Sequence, residues 1–175
     1  MHHMATLTSA GKRGERGQAI IEMALTLPLL LVIVMGIFDF GFMFQKYEVV
    51  TNAAREGARV GVLGDFTPAN AATSPLGRQR ALDYLTVGGI DLAGHMRGSV
   101  ASCAGGVVAD SVCVSAVVSN TVITGSAPAK TVRQLTVTVE HDHQFDFVGP
   151  ILNLFGGTLG TTRLRAVSTM RMEAN

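Results

Sequence analysis

"GQAIIEMALTLPLLLVIVMGIF", residues 17–38, decides how the rest of the chain is read. The stretch has the length and apolarity of a membrane-spanning helix, with Glu22 near its start. From Met23 to Phe38 the only interruptions are Thr26, Pro28 and Gly36. With Glu22 and Asp39 near the two interfaces, residues from Ala19 to Phe44 cover a bilayer core at about 1.5 Å per residue. A charged side chain deep in hydrocarbon costs about 2.5–3.5 kcal/mol on insertion scales, so Glu22 calls for a function.

A secretory signal peptide is the competing reading, because basic residues precede the apolar run. The run is longer than a usual signal core, and no small-x-small cleavage site follows it before "QKYEVV". A retained helix is therefore expected. Lys12, Arg13 and Arg16 precede the span, whereas the other flank mixes charges, which places residues 1–17 in the cytoplasm and 45–175 outside it. The opening "MHHM" carries no weight.

The 175 residues suffice for one modest domain and an anchor. A net charge of +1 gives no global field of the kind that draws nucleic acid. Cys103 and Cys113 both fall on the exocytoplasmic side, where a disulfide persists. Closing so short a loop would stabilise by about 2–3 kcal/mol, and two unpaired buried thiols are the alternative. Zinc is disfavoured, since no nearby His completes a ligand set.

Helical signals continue past the membrane in "FQKYEVVTNAAREGARVGVLG", which has no proline. Ala54, Gly57, Ala58 and Gly61 fall on one stripe by helical spacing and would let another backbone approach closely. Arg55 and Arg59 form a basic stripe beside it. One helix from Gln18 to Leu63, amphipathic in its outer half, is the simplest account. "GDFTPANAATSP" is a linker. Ser74 before Pro75 starts a second helix, with Leu76, Leu82 and Leu85 near one face. "VGGIDLAGHMRGS" reads as loop.

Beyond it the period changes to two. "VCVSAVVS" and "TVRQLTVTVEHDH" are β-branched, with Leu135, Val137, Val139 and His141 on one face and "GSAPAK" as the intervening loop. "GPILNLFGG" makes a short helix or turn. "TTRLRAVSTMRME" is a final strand, with Leu164, Ala166, Met170 and Met172 on one side and Arg163, Arg165, Arg171 and Glu173 partly opposite. The fold class is α+β: a long N-terminal helix, transmembrane in its first half, then a small antiparallel sheet. Residues 1–17 form a cytoplasmic leader, 18–63 the helix with its span at 19–44, and 64–175 the exocytoplasmic domain.

His141, Asp142, His143 and Asp146 in "EHDHQFDF" are capable metal ligands. On one strand, however, His141 and His143 share a face with Phe145 and Phe147, while Asp142 and Asp146 point the other way. An exposed strand end with polar decoration is expected, and no metal or other cofactor. "GDF", "GGI" and "GGV" are not phosphate loops, and no G-x-S-x-G elbow appears, so the chain does not read as an enzyme. Arg55, Glu56 and Arg59 suit either intersubunit ion pairs or a solvated face beside the membrane.

The N-terminal motif remains. Of Gly11, Gly14 and Gly17, only Gly17 has a carboxylate, Glu22, as its fifth following residue, with an apolar helix directly after. This arrangement resembles the class III leader of type IV pilins and pseudopilins. More fully, "RGQAIIEMALTLPLLL", "TNAAREGARVG" and the terminal "LRAVSTMRME" resemble the TadE-like family of Flp (tight adherence) pilus assembly proteins. Met23 stands where that family usually has Phe or Tyr, and the chain is too short for the extra domain of TadG-type proteins.

The resemblance implies a pilin-like fold and a non-catalytic minor pilin or pseudopilin. A prepilin peptidase would cut between Gly17 and Gln18, and Glu22 would pair with the N-terminal amine of a neighbouring subunit. Such pairing is what makes a buried charge tolerable. Implied partners are other pilins or pseudopilins, the pilus assembly platform and the peptidase. The implied location is the bacterial inner membrane, single-pass, with entry into the pilus. The rivals are a permanently anchored scaffold that never enters a filament and a membrane-anchored metal hydrolase using His141 and His143.

Overall fold

The computed structural model describes residues 12–64, 72–123, 130–154, 156–157 and 160–172. Helix α1 runs Lys12–Gly61, α2 Pro75–Val87 and α3 Val148–Leu154, while strands β1 (Val112–Ile123), β2 (Lys130–Gln144) and β3 (Thr161–Arg171) form the sheet. The α+β class read from the sequence is the one observed. Residues 1–11, the "GSAPAK" loop up to Pro128 and Ala129, and Glu173 lie outside the described residues.

α1 is a single helix of 50 residues that begins upstream of the expected Gln18, because no proline interrupts "KRGERGQ". Pro28 lies inside it. The first half, from Gly17 to Val34, is exposed along its whole length. Among the described helices α1 is the one long and apolar enough to cross a membrane.

The sheet is an antiparallel meander in the order β1-β2-β3. Val114 pairs with Val139, and Val139 with Ala166, so the alternating apolar positions of three strands share one face. The outer half of α1 and all of α2 cover that face. Val50, Ala53, Ala54 and Ala58 of α1, Ala81 and Leu85 of α2, and Val112, Val114, Leu135, Val137 and Val139 of the sheet make one buried cluster.

α2 starts where expected. The Ser74 hydroxyl accepts from the Gly77 N–H at 3.1 Å and donates to the Gly61 carbonyl at 3.2 Å, while Pro75 begins the first turn. One side chain thus caps the new helix and satisfies an orphan carbonyl of the old one. At the far end Gly89 (φ +81°) turns the chain so that the Ile90 N–H reaches the Leu85 carbonyl at 3.0 Å.

Of the expected Leu76, Leu82 and Leu85, Leu85 is buried and Leu82 packs half-buried against the core, but Leu76 is exposed and the fully buried face is Gly77, Ala81 and Leu85. Close helix approach is the reason. Where α2 crosses the small-residue stripe of α1 there is room only for Gly77 and Ala81, and leucine fits again a turn later.

The free edge of β1 is covered by the loops before it. Thr73 bridges Val117, Met96 bridges Val112, and the Ala116 N–H donates to the Val100 carbonyl at 2.8 Å. This blunts an edge that would otherwise template pairing with another chain.

Candidate functional site

The "EHDHQFDF" segment ends β2, and its environment overturns the expected exposed strand end. His141 and His143 are each 2% exposed and Asp142 0%. α1 is long enough to extend past the end of the sheet, so the face carrying the histidines stays covered. On the opposite face the 95–110 loop folds over the acids.

On that opposite face Asp142 and Glu140 meet three arginines. Arg163 binds Asp142 through Nε at 2.7 Å and Nη2 at 2.9 Å, and Arg97 reaches Glu140 at 2.8 Å and the Ser111 hydroxyl at 2.9 Å. Arg165 approaches Glu140 at 3.4 Å. Asp142 also accepts from the Val108 N–H and the Ser111 hydroxyl, both at 3.0 Å. Burial opposes its charge, but the Arg163 bonds, the Val108 N–H and Ser111 hold the carboxyl down at about 2. Asp142 is thus committed to arginine and turned away from His141 and His143, while Asp146 is exposed. Among the described residues no three His, Cys, Asp or Glu side chains form a metal-holding group.

A disulfide fixes the loop that carries Arg97. Cys103 and Cys113 are bonded, with Cα atoms 5.6 Å apart. Gly98 (φ +72°) lies so close to the Ser102 carbonyl and the Cys113 sulfur that an added Cβ would meet them at 2.6 and 2.8 Å.

On the apolar face, rings descend from His141 to His143 (centroids 6.3 Å apart), to Phe145 (5.3 Å) and to Phe40 of α1 (5.9 Å). His141 borders a cleft of about 270 Å³ with Lys46, Asp91, His95 and Asp110. Burial, and then Lys46, push the His141 imidazole down to about 4, against Asp110 and Asp142. His143 is lowered by the same two causes, against Asp146, Asp110 and Asp39.

An unfolded histidine takes its proton near pH ~6.5, whereas the folded ring refuses it until about pH 4. For His141 this contribution to stability is full above about pH 6.5 and falls as the pH drops toward 4, by up to about 1.4 kcal/mol per pH unit, and the lowered His143 acts in the same direction. Thermal melts of the full chain are expected to show Tm falling through this window, and His141→Phe should flatten the slope. An unchanged Tm down to about pH 4.5 would show that the rings take up protons without opposing the fold.

The stripe of Ala54, Gly57, Ala58 and Gly61 is buried, and its neighbour is α2 of the same chain. A Cβ at Gly57 would lie 2.7 Å from the Gly77 carbonyl oxygen, and one at Gly61 would lie 2.9 Å from the Gly77 Cα. Glu56 sits beside the stripe. It takes two bonds from Arg59, both at 2.9 Å, and Arg80 of α2 at 3.2 Å, and these guanidinium contacts hold its carboxyl at about 2. Arg55 and Arg59 are exposed beside it.

Gly17, Gln18 and Glu22 lie exposed on α1, with open space around Gly17. Thr26 donates its hydroxyl to the Glu22 carbonyl at 2.9 Å. A residue that the sequence reading left at an interface, Asp39, is 2% exposed. Its carboxylate accepts the backbone N–H groups of Phe147 (3.1 Å) and Val148 (2.7 Å), more than a hundred residues away. No local pattern at Asp39 announces this contact.

The family described as "TadE-like protein" matches residues 17–59. Two of the three stretches that carry the resemblance fall largely within that match, and "LRAVSTMRME" lies outside it. No curated protein and no solved structure matches the chain.

Proposed function

Because the chain is TadE-like over residues 17–59, which implies a part in Tad/Flp pilus assembly, we propose that it is a minor pilin or pseudopilin acting without catalysis. The observation that carries this reading is the division of α1. Its first half is apolar and exposed, and its second half is the spine of a folded domain. A rigid rod with a free apolar end suits insertion in a membrane and side-by-side packing with similar rods.

In this reading residues 1–17 are the cytoplasmic leader and 64–175 lie outside the inner membrane, with α1 between. Prepilin peptidase cuts Gly17–Gln18, and the new amine of a neighbouring subunit neutralises Glu22. The charge pair would fix the stagger of adjacent helices as well as their contact.

N-terminal sequencing of the chain extracted from peptidase-positive cells is expected to begin at Gln18. An intact Gly17–Gln18 bond would remove processing from the account. Glu22→Ala is expected to insert normally yet fall by at least about tenfold in sheared pili, since one charge of a buried pair is lost. Incorporation at the parental level would sink the pairing.

One observation favours the permanently anchored scaffold as a second reading. α1 is already helical at Lys12, so the Gly17–Gln18 bond lies inside a helix instead of an extended segment. Recovery from membranes and never from sheared pili would support that alternative.

A further inference from the structure

We infer that α3 and the residues beside it form a second membrane contact, dipping into the outer leaflet next to the span. The inference rests on the reading of α1 as a membrane helix. Three observations carry it: the depth at which α3 is held, the lack of charge in its segment, and the way Asp39 is hydrogen-bonded.

Depth follows from α1 used as a ruler. Phe145 packs on Phe40, and Val148 comes within contact distance of Gly36, with its Cγ2 3.8 Å from where a Cβ would stand. The chain therefore steps back along α1 by four residues, about 6 Å, toward the middle of the span. Asp146, exposed at the Phe40 level, marks the headgroups. From Glu22 to Phe40 the helix rises about 27 Å, close to the thickness of a hydrocarbon core. Val148 then lies about 6 Å below the headgroups, the depth at which interfacial helices settle.

Between Asp146 and Arg163 the chain has no charged residue. Leu154 is 82% exposed, Phe147 is exposed, and Ile151 and Leu152 are half-covered. Ile37 and Phe38, between the Gly36 that Val148 touches and the Asp39 that binds the Phe147 and Val148 N–H groups, are exposed as well, so the apolar surface of the span reaches the point where α3 is attached. A lipid surface fits such a patch, since it is uncharged and continuous with the membrane-facing belt.

Asp39 would be costly at this depth if its oxygens faced lipid. The N–H groups of Phe147 and Val148 satisfy it instead, and those two N–H groups themselves need acceptors in a place without water. Each side of the contact meets the other's need. The contact also explains why a carboxylate and a non-helical bend can both stand beside the span.

The full chain in phospholipid nanodiscs provides the test. Cys103 and Cys113 are bonded to each other, so a single introduced cysteine takes an environment-sensitive fluorophore. Leu154→Cys is the probe and Phe147→Cys a second one on the same segment. Leu25→Cys reports insertion of the span, and Val87→Cys, 90% exposed on α2, reports water. Expected are blue-shifted emission and several-fold weaker iodide quenching at Leu154 and Phe147 than at Val87.

Quenching at both probes equal to that at Val87, with Leu25 protected, would overturn the inference and leave the anchor standing. Quenching at Leu25 as well would remove the anchor, and this inference with it. Protection at Leu154 that arises only when other pilins are added would also overturn it, in favour of a protein contact.

Discussion

Gly57→Val is expected to destabilise the outer domain strongly while leaving the apolar half of α1 able to insert. The first atom a Cβ would meet is the Gly77 carbonyl oxygen at 2.7 Å, followed by the Ala81 Cβ at 2.9 Å. Backbone cannot rotate aside, so α2 must back off the stripe and lift Leu85 and Ala81 from the core. Overpacking costs about 1–3 kcal/mol when side chains absorb it, and more here. For a domain stable by about 5–15 kcal/mol, a loss of about 3 kcal/mol lowers Tm by at least about 10 °C. Gly41→Val is the control, because nothing lies within 4 Å of its Cβ position on the same helix. Equal melting of the two variants in detergent would show that the helices do not approach so closely.

Arg163→Ala is expected to be the second most damaging change. Asp142 is fully buried and takes two bonds from this guanidinium, which also donates to the Gly106 carbonyl at 2.7 Å. Removing one partner of a buried pair costs about 3–5 kcal/mol, because the other charge stays behind. Arg163 is partly exposed, and Asp142 keeps Ser111 and the Val108 N–H, so a loss of about 3 kcal/mol is expected. The double variant Arg163→Met with Asp142→Asn should recover part of it, since no unpaired charge remains. A loss below about 1 kcal/mol for Arg163→Ala would place this pair among surface bridges. With its carboxyl held at about 2, Asp142 stays charged while the histidines titrate, so acid melts separate the two effects.

These two sites differ in how far they are visible along the chain. Gly57 stands on a stripe set by helical spacing, so that something packs closely there is readable from residues 54–61. That α2 is the neighbour is not, because Gly77 and Ala81 follow a linker whose path is unspecified. Leu76 shows the consequence: hydrophobicity favours it for the core, while the space left by Gly57 and Gly61 favours Gly77. At Asp142 the alternation of β2 correctly separates it from His141 and His143. What alternation does not say is whether the second face of the sheet is covered.

By itself the sequence determined the two longer helices and the three strands, one of those helices long and apolar enough to cross a membrane, and it offered the candidate motif of Gly17 and Glu22. All of these depend on spacing between residues near in the chain, where propensity and periodicity act. The tertiary structure alone decided the burial of His141, Asp142 and His143, the pairing of Glu56 with Arg80, and the contact of Asp39 with Phe147 and Val148. Those outcomes depend on which distant segment comes within a few ångströms. Burial and electrostatic shifts are set by such neighbours and not by the local run of residues.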